Sequence, residues 1–126
     1  MQLARGAALL AALADVGFGL LFLIRPDALA EDGIHTLHFV YARWVAACLF
    51  ASAALLGLAA REPERFLPVY YVNIGARILV VAVSLLHLAR HFVAVMVVLP
   101  SQGALAAVMI AALVYDARAA QKRTGA

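Results

Sequence analysis

Four apolar stretches of membrane-spanning length, separated by polar breaks, leave this chain little choice of fold. The first runs from about Leu3 to Ile24 and stops at Arg25-Pro26. The second runs from about Thr36 to Ala60 and stops at Arg61-Glu62-Pro63. The third covers about Phe66 to Ala89, and the fourth about Phe92 to Tyr115, ahead of a polar tail from Asp116 to Ala126. A helix of about 20 residues crosses the hydrocarbon core of a bilayer. Barrel strands would alternate apolar and polar residues, and no such alternation is visible. Apart from the segment 25–35 the loops are short, which makes neighbouring helices antiparallel. The expected fold is therefore all-α, an up-down four-helix membrane bundle forming one domain over residues 1–126.

Composition excludes most other readings. Hydrophobic residues make up 67% of the 126 and charged residues only 13%, with mean hydropathy +0.98. A soluble domain is typically about 45–50% apolar and about 25% charged. A small soluble domain has too little interior to hide this much apolar surface. Disorder, a nucleic-acid-binding domain and a disulfide scaffold are excluded on the same grounds. The net charge of +3 is small and its basic residues are scattered, so no polyanionic partner is implied. The single cysteine, Cys48, is expected to be a small buried apolar residue. Arg5 followed by an apolar run and Ala12-Leu13-Ala14 has the look of a cleavable signal. The apolar stretch nevertheless continues past Asp15 to Ile24, so it is read as an uncleaved first membrane helix.

Lysine and arginine near the span ends set the expected orientation. Arg5, Arg61, Arg65, Arg118, Lys122 and Arg123 flank one side. Arg25, Arg90 and Arg43 belong to the other, whose first loop carries Asp27, Glu31 and Asp32. Both termini are accordingly expected in the cytoplasm. The Ala/Leu/Arg-rich composition with one lysine suggests a bacterial inner-membrane protein.

Polar residues at membrane depth are the strongest functional clues, because a charge at a helix centre costs about 2.5–3.5 kcal/mol on insertion scales. Asp15 and Arg77 both fall near the midplane, counted from the cytoplasmic side at about 1.5 Å per residue. Pro100-Ser101-Gln102-Gly103 lies at similar depth in helix 4, where Pro100 should kink or loosen the helix. Helical periodicity puts Tyr70, Asn73, Arg77, Ser84, His87 and His91 on one polar stripe of helix 3. Asp15 shares its face with Ala8, Ala11, Ala12 and Gly19, small residues that let another helix approach closely. A polar cluster of Asp15, Asn73, Arg77 and Gln102 is therefore expected, with Asp15 and Arg77 paired across a helix 1–helix 3 contact. It reads either as a structural ion pair fixing helix register or as a pocket for the head group of a quinone or lipid. Proton relay is weaker, since no second midplane carboxylate is present to take the proton.

All four histidines fall toward the outer side: His35 and His38 where helix 2 begins, His87 and His91 where helix 3 ends. Their spacings place each pair on one helix face, which would suit a metal or axial haem ligation. Such spacings also arise by chance, and the plainer reading is interfacial polar residues. Tyr41, Trp44 and Tyr115 near span ends fit aromatic belts. Ser52, Ser84 and Ser101 read as interhelical hydrogen-bonders, and no nucleophile–base pair, phosphate loop or zinc-protease motif is present, so enzymatic chemistry is not expected.

The run Gly19-Leu20-Leu21-Phe22-Leu23-Ile24-Arg25-Pro26, followed by Tyr41-Ala42-Arg43 opening an Ala-rich second helix, resembles the DoxX-like group of small bacterial four-helix membrane proteins. The resemblance covers helices 1 and 2 and the overall length. It implies a four-helix membrane fold and a link, through some members, to quinone-dependent redox complexes; it carries over no catalytic residue. The leading expectation is a non-catalytic accessory subunit packing against other membrane proteins, or against copies of itself, in a redox or photosynthetic complex. The alternatives are a quinone- or lipid-binding protein with a midplane pocket, and a haem or metal protein using the outer histidines. Membrane lipids are the other expected partner, and transport is disfavoured because no inverted repeat is evident.

Overall fold

The computed structural model describes residues 1–25, 36–86 and 92–125, with side chains described for 1–25, 41–86 and 99–125. The described residues form four helices and no strand: α1 (Gln2–Ile24), α2 (Thr36–Arg61), α3 (Leu67–Leu86) and α4 (Phe92–Thr124). Each is long and apolar enough to cross a membrane. The breaks fall where the polar signals stand. Arg61-Glu62-Pro63 closes α2 into a tight turn, held by the Arg65 and Phe66 amides donating to the Glu62 carbonyl at 3.1 and 3.2 Å. The helix α4 continues through Pro100, as membrane helices tolerate when neighbours re-satisfy the freed backbone. It also runs on through most of the tail, where alanine, arginine, glutamine and lysine are good helix formers. Lys122 and Arg123 sit in its last turn, complementing the negative end of its dipole.

Packing follows the small residues. The helix α1 lies along α2 and α4, α3 lies along α4, and α3 meets α2 more loosely. On α1 the buried positions are Ala4, Ala7, Ala8, Ala11, Asp15 and Gly19. Facing them on α2 are Ala46, Ala53, Leu56, Ala59 and Ala60. Between helices in lipid there is no hydrophobic driving force, so close backbone approach and interhelical hydrogen bonds carry the association. Gly19 marks the tightest approach: a methyl group there would meet the Phe50 ring at 3.0–3.3 Å. The remaining faces are apolar and exposed, with Leu13 at 72%, Val72 at 73% and Leu86 at 83%. A multi-pass bundle surrounded by lipid is the setting that such faces fit.

The helices α1 and α3 stand diagonally across the bundle, because the alanine faces of α1 are taken by α2 and α4, and they meet through the side chains of Tyr70 and Arg77. One expectation is corrected. Cys48 is exposed, because α2 and α3 are splayed apart where it lies.

The end of the bundle that holds the N-terminus is closed by hydrogen bonds between distant parts of the chain. The Ala4 amide, one of the unpaired donors in the first turn of α1, donates to Asp116 Oδ2 at 2.7 Å. The buried Tyr70 hydroxyl donates to the Ala4 carbonyl at 3.0 Å. Arg5 Nη2 donates to the Arg61 carbonyl at the C-terminal end of α2 at 3.3 Å. These contacts tie α1, α2, α3 and α4 at one level and set the depth scale for the rest of the molecule.

Candidate functional site

Asp15 lies eleven residues beyond Ala4 on α1, a rise of about 16 Å, close to half of a hydrocarbon core about 30 Å thick. At that level all four helices send one or more polar side chains inward. Arg77 of α3 is 4% exposed and Asp15 is 1% exposed. Arg77 Nη2 donates to both carboxylate oxygens, at 2.9 Å to Oδ1 and 2.8 Å to Oδ2. The long guanidinium side chain bridges the diagonal between α1 and α3.

The other donors of Arg77 are used as well. Its Nε donates to Asn73 Oδ1 at 2.8 Å, one helical turn back on the same face. Its Nη1 donates to Gln102 Oε1 of α4 at 2.6 Å. Asn73 Nδ2 donates to Ser52 Oγ of α2 at 2.7 Å, and Ser52 Oγ donates to Asp15 Oδ2 at 2.7 Å. The bonds form a closed ring, Asp15–Ser52–Asn73–Arg77 and back, with Gln102 attached from the fourth helix. Among the described residues no buried side-chain nitrogen or oxygen lacks a partner. In a low-dielectric interior a fully satisfied network of this kind is rigid, whereas a broken one leaves a costly orphan.

The structure thus brings Asp15, Asn73, Arg77 and Gln102 into one cluster. Ser52, expected only to bond between helices, is the member that closes the ring. Its depth was available as a signal, since it lies nine residues before Arg61, a rise of about 14 Å. The histidines give no such convergence to describe. His35, His87 and His91 lie outside the described residues, and so does the side chain of His38. Among the described residues no group of three or more His, Cys, Asp or Glu is placed to hold a metal.

The ring is reached from the α2–α3 side. Where α2 and α3 splay, a cleft of about 410 Å³ opens laterally, within the range of small-molecule sites. Tyr41, Trp44, Val45 and Leu49 of α2 and Ala76 and Val80 of α3 form its walls. The ring and Gln102 form its floor. Tyr41 and Trp44 pack edge to face, with centroids 5.8 Å apart. A second hollow of about 470 Å³ shares Cys48, Ser52, Asn73 and Ala76 with the first and runs on past Pro68 and Val69. Together they make a furrow along the α2–α3 seam with polar groups halfway along it. A larger hollow of about 700 Å³, between the start of α1 and the end of α4, holds Glu64, Asp116 and Arg123 at the exposed end of the bundle.

No protein-family model, curated protein or solved structure matches the chain.

Proposed function

We propose that this protein is a multi-pass protein of the bacterial cytoplasmic membrane, with both termini inside, that binds a membrane amphiphile in the α2–α3 cleft. The head group rests on Ser52 and Asn73, and the tail lies along the apolar furrow. One observation carries the reading: an apolar, laterally open cleft ends on a buried polar floor, which is the chemistry of an amphiphile. Intramembrane ionisable residues that line a cavity commonly mark a functional site. The resemblance of helices 1 and 2 to the DoxX-like group, with its link to quinone-dependent complexes, favours a quinone as that amphiphile.

A second reading draws on a different observation. The ring is complete without a ligand. That suits an accessory subunit whose polar core only holds the bundle together while its outer faces pack against partner proteins. Haem or metal binding by the outer histidines concerns side chains that lie outside the described residues.

Trp44 is the only tryptophan in the chain and lines the cleft, so its fluorescence reports occupancy directly. Decylubiquinone titrated into the protein in nanodiscs should quench Trp44 saturably, and Asn73→Leu should weaken the apparent affinity several-fold. Quenching that rises linearly with quinone, and equally in Asn73→Leu, would mean partitioning into lipid and would reject the reading.

A further inference from the structure

We infer that the α2–α3 cleft takes a neutral head group bearing an acceptor oxygen and rejects anionic ones. The inference rests on the amphiphile reading and narrows the class of ligand.

A buried arginine beneath a cleft would ordinarily point to a phosphate or carboxylate ligand, since its planar fork matches both. Here the fork is already occupied. Arg77 Nη2 holds both Asp15 oxygens, Nη1 holds Gln102 and Nε holds Asn73. Charge and counter-charge are buried together in the floor, so the pair is close to neutral as seen from the cleft. Among the described residues lining the cleft Arg77 is the sole cation.

The members that reach furthest toward the cleft are uncharged. Ser52 and Asn73 are partly exposed, and both also line the adjoining hollow. Ser52 gives its only hydrogen to Asp15 and receives one from Asn73, so it offers the cleft a lone pair and no proton. Asn73 uses one of its two amide hydrogens on Ser52 among the described residues. The other is the donor that an incoming carbonyl or ether oxygen would meet. An anion entering here would lose its hydration and find only neutral donors, which is strongly unfavourable in an apolar site. To reach Arg77 it would have to displace Asp15, breaking the two carboxylate–guanidinium bonds and orphaning a buried carboxylate.

The test compares two competitors against half-saturating decylubiquinone, with Trp44 fluorescence as the readout, in zwitterionic nanodiscs at neutral pH. One competitor is 2-dodecanone, neutral with a carbonyl oxygen; the other is decyl phosphate, anionic with a similar tail. In the wild-type protein the ketone should restore fluorescence at a concentration about ten-fold lower than the phosphate, roughly the discrimination one well-made hydrogen bond provides. Asp15→Asn releases Arg77 from its counter-charge and should shift the preference toward the phosphate. The wild-type comparison decides the matter even if that variant does not fold. Decyl phosphate competing as well as the ketone in the wild type would overturn the inference and leave amphiphile binding standing. Absence of saturable decylubiquinone quenching would overturn amphiphile binding, and this inference with it.

Discussion

Arg77 makes four hydrogen bonds to three residues on three helices, a geometry open to a planar guanidinium and closed to lysine. Its position predicts that neither it nor Asp15 can be removed alone without cost. Removing one partner of a buried pair leaves the other uncompensated, at a cost of typically about 3–5 kcal/mol. Asp15→Asn should therefore lower stability in detergent by about that much, while Asp15→Asn with Arg77→Gln should lose less than the sum of the single changes. Chemical unfolding of the four proteins of this double-mutant cycle measures the coupling, and additivity within about 0.5 kcal/mol would show that the two do not interact. The candidacy of Asp15, Asn73, Arg77 and Gln102 was legible in the sequence because depth and face can be counted, and because charge in a membrane helix is expensive enough to demand an explanation. Ser52 was less visible. A hydroxyl in an alanine-rich membrane helix is common and cheap, so nothing in its chemistry sets it apart until its neighbours are known. Cys48 was misplaced for a related reason: residue type predicts burial only where the packing partner is known.

At the scale of the helices, boundaries were readable to within a few residues wherever Arg, Glu and Pro interrupt an apolar run. Their pairing was not. Four helices of similar hydropathy can be arranged with either diagonal in contact, and the choice is made by side-chain shape. The α1–α2 seam shows this most clearly, with Gly19 against the Phe50 ring and alanines along its length. Gly19→Ala must push the ring aside, and overpacking of this kind costs typically about 1–3 kcal/mol. Gly17, two residues away, has nothing within 4 Å of an added methyl, so Gly17→Ala serves as the matched control. Thermal unfolding in detergent should show Gly19→Ala clearly destabilised and Gly17→Ala unchanged or slightly stabilised. Equal behaviour of the two would mean that the seam is looser than described. The helical tail of α4 was also hidden at this scale, since polarity marked the end of the span rather than the end of the helix. Its continuation is what delivers Asp116 to the amide of Ala4.

Over the whole molecule, the tight α1–α2 seam and the loose α2–α3 seam are complementary features. The first brings Asp15 and Ser52 within bonding distance, and the second leaves the bundle open at the level where that polar ring lies. The number of helices and their alternating direction followed from apolar run lengths and short loops. The opening did not, because a cleft is a property of how four surfaces fail to meet. The central claim is that an amphiphile enters at this one seam. Photo-crosslinking with a diazirine-bearing decyl quinone in nanodiscs, followed by peptide mass spectrometry, tests it most directly. Adducts are expected on the α2 residues 41–52 and the α3 residues 69–80, reduced by excess decylubiquinone. Adducts spread evenly over the exposed leucines of α1, such as Leu9, Leu13 and Leu20, and insensitive to competitor would contradict the account.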